Sequence, residues 1–169
     1  QGYWKNPEKS RETFTASIEG EDPSVHYLRT GDLGFMSDGE LYITARLKDY
    51  IIINGRNFFP EDIELDIFTS HPALRQGCGA AFSVDDHGQE KLVVVQELRK
   101  NQDIDITQLV IQLQTTLMEQ HQLSLHALVL IKEGSACKTS SGKIQRHANK
   151  SAYLNGNLKV EGHWGPLPD

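Results

Sequence analysis

The chain has 169 residues, 38% of them hydrophobic, and carries a formal net charge of −6. That length suits one ordinary domain, or a small domain with a piece of another attached, around a lean core. No block of clustered Lys and Arg is present, which argues against nucleic-acid binding, where basic clusters supply most of the affinity.

In chain order, residues 1–26 read as polar and turn-rich, with Gly2, Pro7, Gly20 and Pro23. Tyr27 to Arg29 and Glu40 to Thr44 read as short strands of a hairpin-like unit, with turns at Gly31, Gly34 and Asp38-Gly39. Ala45-Arg46-Leu47-Lys48-Asp49 then breaks the apolar alternation, and composition places a domain boundary near Arg46–Asp49. A short buried strand, Tyr50 to Ile53, is turned by Asn54-Gly55. Pro60 suits the first position of a helix, with Glu61, Asp62 and Glu64 near its positive end and Ile63, Ile67 and Phe68 on one face; His71-Pro72 ends it. Ala80 to Val84 and Leu92 to Leu98 read as strands around an Asp-Asp-His-Gly turn. Asp105 caps a helix whose apolar face is Ile106, Leu109, Val110, Leu113 and Leu117. Ala127 to Ile131 is a further strand, Gly134 to Gly142 a loop, and Ile144 to Leu154 a closing helix. The tail from Asn155, with Gly162, Gly165, Pro166 and Pro168, is expected to be poorly ordered. This order predicts an α+β fold, helices packed on a small sheet.

The two cysteines, Cys78 and Cys137, lie far apart in no CxxC pattern, and the seven histidines show no HExxH spacing, so neither a disulfide framework nor a metal site is expected. No apolar run approaches the roughly 20 residues that span a bilayer. The polar start QGYWKNPEKS lacks an initiator Met and a signal peptide. A soluble, cytoplasmic fragment that begins in mid-protein is the expectation.

Three places carry charges that chemistry could use. Thr30-Gly31-Asp32 sets a carboxylate on a tight turn, where it can accept hydrogen bonds from two vicinal hydroxyls or serve only as turn chemistry. Arg46-Leu47-Lys48-Asp49 offers an arginine fork for phosphate or carboxylate, or a solvated corner. In TSSGKIQR, residues 139–146, small residues lift Lys143 toward a phosphate or carboxylate, or simply toward solvent. This is not a P-loop: Cys137 stands where that motif needs glycine, and Ile144 where it needs Ser or Thr.

The order of motifs is more specific than any one of them. GYWKNPEKSRETF, YLRTGDLG, GELYITARLKDYIIINGRNFFPEDIE and KTSSGKIQR follow one another. Over about residues 1–150 they resemble the C-terminal end of the adenylate-forming superfamily, and within it the fatty acyl-AMP ligases. Ala45 departs from the glycine usual before Arg46, and Cys137 from the proline that often precedes Lys-Thr.

The resemblance implies a mobile α+β C-terminal domain at residues 50–154, a hinge at 46–49, the distal end of the large N-terminal domain at 1–45, and a tail at 155–169. It implies an ATP-dependent enzyme that converts a fatty acid to acyl-adenylate and pyrophosphate, then passes the acyl group to the phosphopantetheine of an acyl carrier protein. Mg2+ would accompany ATP, held mainly by the large domain. Carried over by motif, Lys143 is the catalytic lysine of adenylation, Asp32 binds the nucleotide ribose, and Arg46 contacts ribose or phosphate. Lys48 is the hinge, and Gly55 lies on a turn facing the active site after rotation. The chain alone is expected to be inactive. An acyl-CoA synthetase and a non-catalytic nucleotide- or partner-binding relative are the competing readings.

Overall fold

The computed structural model describes residues 2–47, 49–102 and 104–168. They fall into two compact units, Gln1–Lys48 and Asp49–Asp169.

In the first unit, α1 spans Pro7–Phe14, with Asn6 as N-cap accepting from the Lys9 N–H and Pro7 at the start. The expectation of turns alone missed it, because the helix buries no residue and so shows no apolar stripe. Strands β1 (Asp32–Ser37) and β2 (Glu40–Arg46) form an antiparallel hairpin. Asp38 and Gly39 turn it with φ of 51° and 83°, the left-handed pair that matches strand twist. The expected strand Tyr27–Arg29 is not one; Tyr27 makes only an isolated bridge to Ala16. Gly34, expected as a turn, lies inside β1 at a register shift after Leu33, where a Cβ would lie 2.5 Å from the Tyr42 carbonyl oxygen.

The second unit is α+β. A short hairpin, β3 (Ile51–Ile53) and β4 (Arg56–Phe58), turns at Asn54-Gly55, again with positive φ at both residues. Helix α2 (Pro60–Ser70) begins at its proline, and α3 (Ile106–His121) is capped by Asp105, which accepts from the Gln108 N–H. The four-stranded sheet runs β5-β6-β7-β8, with β5 Leu74–Asp86, β6 Gln89–Leu98, β7 Leu125–Ile131 and β8 Val160–Trp164. β6 and β7 are parallel, so the chain must cross over between them, and α3 makes that crossing. The period of two along the strands divides the core. Leu92, Val94, Leu128 and Leu130 face Ile63, Ile67, Leu109, Leu113 and Leu117 of α2 and α3. Phe82, Val93, Val95, Val129 and Ile131 face the other way, under Tyr153 of α4 (Arg146–Leu154).

The tail corrects the sequence expectation. Residues 160–164 are β8, paired antiparallel with Leu128–Ile131 of β7. Without it, a strand whose residues are buried and apolar except at His126 would be an open edge. The glycines read as flexibility serve close approach: a Cβ on Gly162 would meet Ile106 Cδ1 at 2.5 Å, and one on Gly165 would collide with the His126 carbonyl oxygen. The Tyr153 hydroxyl donates to the Pro166 carbonyl at 3.0 Å.

Candidate active-site elements and relatives

Asp32 and Arg46 stand opposite each other at the open end of the β1–β2 hairpin. Arg46 Nε donates to Asp32 Oδ1 at 3.2 Å, with side chains 68% and 32% exposed. The Asp32 N–H donates to Thr30 Oγ1 at 3.1 Å, and Gly31 has φ of 81°. Turn chemistry and an available carboxylate are therefore both present, since Asp32 keeps one oxygen outside the ion pair. Two residues 14 apart in sequence become neighbours through strand register alone.

Gly55 sits at the tip of the β3–β4 hairpin with nothing within 4 Å of where a Cβ would be. Arg56 beside it donates to Gln122 Oε1 at 2.9 Å and lies over the Phe58 ring. Lys48, the expected hinge, lies outside the described residues.

Lys143 is exposed on a tight turn. Lys138 and Ile144 bridge at its base; the Thr139 N–H donates to the Lys143 carbonyl at 2.8 Å, the Gly142 N–H to the Thr139 carbonyl at 2.9 Å, and the Lys143 N–H to Thr139 Oγ1 at 3.0 Å. Gly142 supplies the left-handed conformation, φ 83°. The turn thus presents the lysine by its backbone and leaves the ammonium free of ion pairs among the described residues. Lys138 differs: its Nζ lies 3.0 Å from the sulfur of buried Cys78.

Three buried or nearly buried polar side chains clamp the stem of this turn, and sequence reasoning singled out none of them as a site residue. Asn149 is fully buried; its Oδ1 accepts from the Cys137 N–H at 3.0 Å and its Nδ2 donates to the Cys137 and Gln145 carbonyls at 3.0 and 2.9 Å. Glu97 Oε1 accepts from the Ala136 N–H at 2.8 Å, while its other oxygen pairs with Arg75. Arg146, the first residue of α4, forks onto Glu64 of α2, with Nε to Oε1 at 2.7 Å and Nη2 to Oε2 at 2.8 Å. Burial works against its charge, but the bonds to Glu64 and Asp49 and the charges of Glu64 and Glu61 outweigh it and hold the guanidinium firmly protonated. At Glu64 burial pushes the carboxyl up, and Arg146 and the Ala81 N–H pull against it. The only signal for such clamps is an Asn inside a helix and an Arg at its start, and neither names its partner.

Among the described residues, no group of three or more His, Cys, Asp and Glu is placed to hold a metal ion, and no helix is long and apolar enough to cross a membrane.

Residues 48–163 match the family model for the Disco-interacting protein 2-like AMP domain. The chain is 48% identical over 161 residues to the medium-chain-fatty-acid–[acyl-carrier-protein] ligase JamA of Moorena producens (strain JHB), covering 93% of this chain and 27% of that protein. It is 43% identical over 155 residues to the putative fatty-acid–CoA ligase fadD25 of Mycobacterium tuberculosis, covering 86% of this chain and 26% of that protein. The crystal structure of a fatty acid AMP ligase from Legionella pneumophila is similar with a TM-score of 0.56 and 37% identity, over 98% of this chain and 29% of that one. The chain therefore spans little more than a quarter of the length of these relatives. With a family model covering most of its length and motifs that match in order, the chain belongs to the Disco-interacting protein 2-like AMP domains, in the fatty acyl-AMP ligase branch of the adenylate-forming enzymes.

Proposed function

We propose that this chain is the C-terminal part of a cytoplasmic enzyme that activates a fatty acid with ATP to acyl-adenylate and pyrophosphate, and then delivers the acyl group to a carrier-protein phosphopantetheine. The observation that carries this reading is Lys143, exposed on a turn that is clamped to the sheet and to α2 and α4. The ligase JamA, whose name specifies an acyl carrier protein, supports the acceptor. Two free thiols fit a reducing compartment.

The roles follow from charge. When a carboxylate attacks the α-phosphate of ATP, two anions approach and negative charge builds on the bridging oxygens. A lysine placed between them offsets that repulsion in the transition state and aligns the reactants. Lysine suits this because its ammonium is a compact charge on a flexible stem. Asp32 accepts from the ribose hydroxyls, Arg46 contacts ribose or phosphate, and Mg2+ arrives with ATP as substrate, held mainly by the large N-terminal domain. Lys48 is the hinge between residues 1–45 and 50–154, and the Gly55 turn faces the active site once the domain has rotated for transfer.

The test uses the full-length protein with ATP and a medium-to-long labelled fatty acid, given no acceptor, coenzyme A, or a holo carrier protein. The expected result is adenylate that accumulates without acceptor and moves to the carrier and not to coenzyme A. The 43% identity to fadD25, named as a putative CoA ligase, supports the second reading, and efficient acyl-CoA formation would establish it instead. Absence of adenylate with every acid would favour a non-catalytic relative. Adenylate formed by residues 1–169 alone would overturn the division of labour. Lys48→Pro is expected to spare adenylation and impair transfer, since it restricts backbone rotation at the hinge; equal loss of both steps would move the hinge elsewhere.

A further inference from the structure

We infer that Arg146 and Asp49 are a positioning pair: through them the stem of the Lys143 turn is tied to the residue at which the second unit begins, and this tie sets where Lys143 stands during adenylate formation. The inference rests on the role proposed for Lys143.

Arg146 lies three residues after Lys143, and its side chain is 13% exposed. Its guanidinium meets three carboxylates from two segments. Glu64 takes Nε and Nη2 as a fork, while Nη1 is shared by Asp49 Oδ2 and Glu61 Oε1, each at 2.9 Å. Glu64 also accepts from the Ala81 N–H of β5 at 3.0 Å. The contacts differ in what they fix. α2 is already held to the sheet by fully buried Ile63 and Ile67, so the Glu64 fork locates Arg146 on a rigid body. Asp49 precedes β3, and its side chain is 31% exposed, outside the core. For this first residue of the second unit, the bond to Arg146 is a constraint on the entering chain and not a core contact.

An arginine is required for this arrangement. One planar fork bonds Glu64 with two nitrogens and still offers a third to Asp49; an ammonium, as a point charge, cannot hold that geometry. If the entering chain swings freely about the unit, Lys143 swings with the unit relative to whatever holds the nucleotide. Loss of alignment lowers the rate of the step that uses Lys143. Transfer, in which the Gly55 turn and not Lys143 is proposed to face the active site, loses less.

The experiment compares full-length wild type, Asp49→Ala and Arg146→Lys in two separate assays. One measures pyrophosphate release with saturating ATP and fatty acid; the other measures acyl transfer from purified acyl-adenylate. A misplacement on the order of 1 Å can cost about 10²-fold. Asp49→Ala is therefore expected to lower kcat for adenylation by about 5–20-fold, with KM for ATP within about 2-fold, the same melting temperature and a loss of transfer no greater than about 2-fold. Arg146→Lys is expected to lose more in the same assay. Unchanged adenylation in Asp49→Ala, or equal loss in both assays, would overturn the inference. The two failures are distinguishable: a wild type that forms no adenylate removes the proposed function and this inference together, whereas an active wild type matched by Asp49→Ala removes this inference alone.

Discussion

Lys143→Ala in the full-length protein is expected to lower adenylate formation by at least about 10²–10³-fold, the range found when one preorganised charge-stabilising donor is removed from a polar transition state. The loss should appear in kcat, because the role proposed for the lysine is where charge develops and not where ATP is first held. Folding should be untouched. The side chain is exposed, and the turn is built from the backbones of residues 139, 142 and 143 and the Thr139 hydroxyl, none of which the substitution removes. Melting temperature should therefore match wild type, and purified acyl-adenylate should still be transferred. Pyrophosphate release at the wild-type rate would show that Lys143 is a solvated lysine on a surface turn.

Asn149→Ala is expected to destabilise the second unit by about 1–3 kcal/mol, read from urea unfolding. The amide makes three hydrogen bonds from a site with no solvent exposure. Alanine leaves the Cys137 N–H without its partner, whereas the Cys137 carbonyl keeps the Gln145 N–H at 2.9 Å, and one orphaned donor costs about 1–3 kcal/mol. The effect should reach beyond stability: the stem of the Lys143 turn starts at these bonds, so adenylation should fall even where the protein remains folded. Lys150→Ala, one residue on along α4, serves as the control and should shift stability by no more than about 0.5 kcal/mol. A loss below about 1 kcal/mol for Asn149→Ala would mean that water replaces the amide and that the clamp is dispensable.

Features caused by a few adjacent residues were legible from sequence. Pro60 starts α2, Asp105 caps α3, and Asp38-Gly39 and Asn54-Gly55 turn hairpins, because φ restriction, capping and left-handed turns are each satisfied within four residues. The apolar face of α3 was legible for the same reason, since a period of 3.6 needs no knowledge of what it packs against. The chemistry was legible only as an order of motifs. No single one of Asp32, Arg46 or Lys143 separates itself from an ordinary turn or surface charge, and the roles proposed for them come from resemblance.

What tertiary structure decided is where the cause lies far along the chain. The tail is a strand because β7 needs an edge partner, and Gly162 and Gly165 are used for contact with Ile106 and His126, more than 35 residues earlier. Strand register puts Arg46 opposite Asp32. Arg146 finds Glu64 across 82 positions and Asp49 across 97, and Cys137 finds Asn149 only once α4 has packed over the sheet. A lone Arg, Asn or Glu in sequence carries no record of its partner, because a hydrogen bond is specified by distance and angle in space and not by separation along the chain.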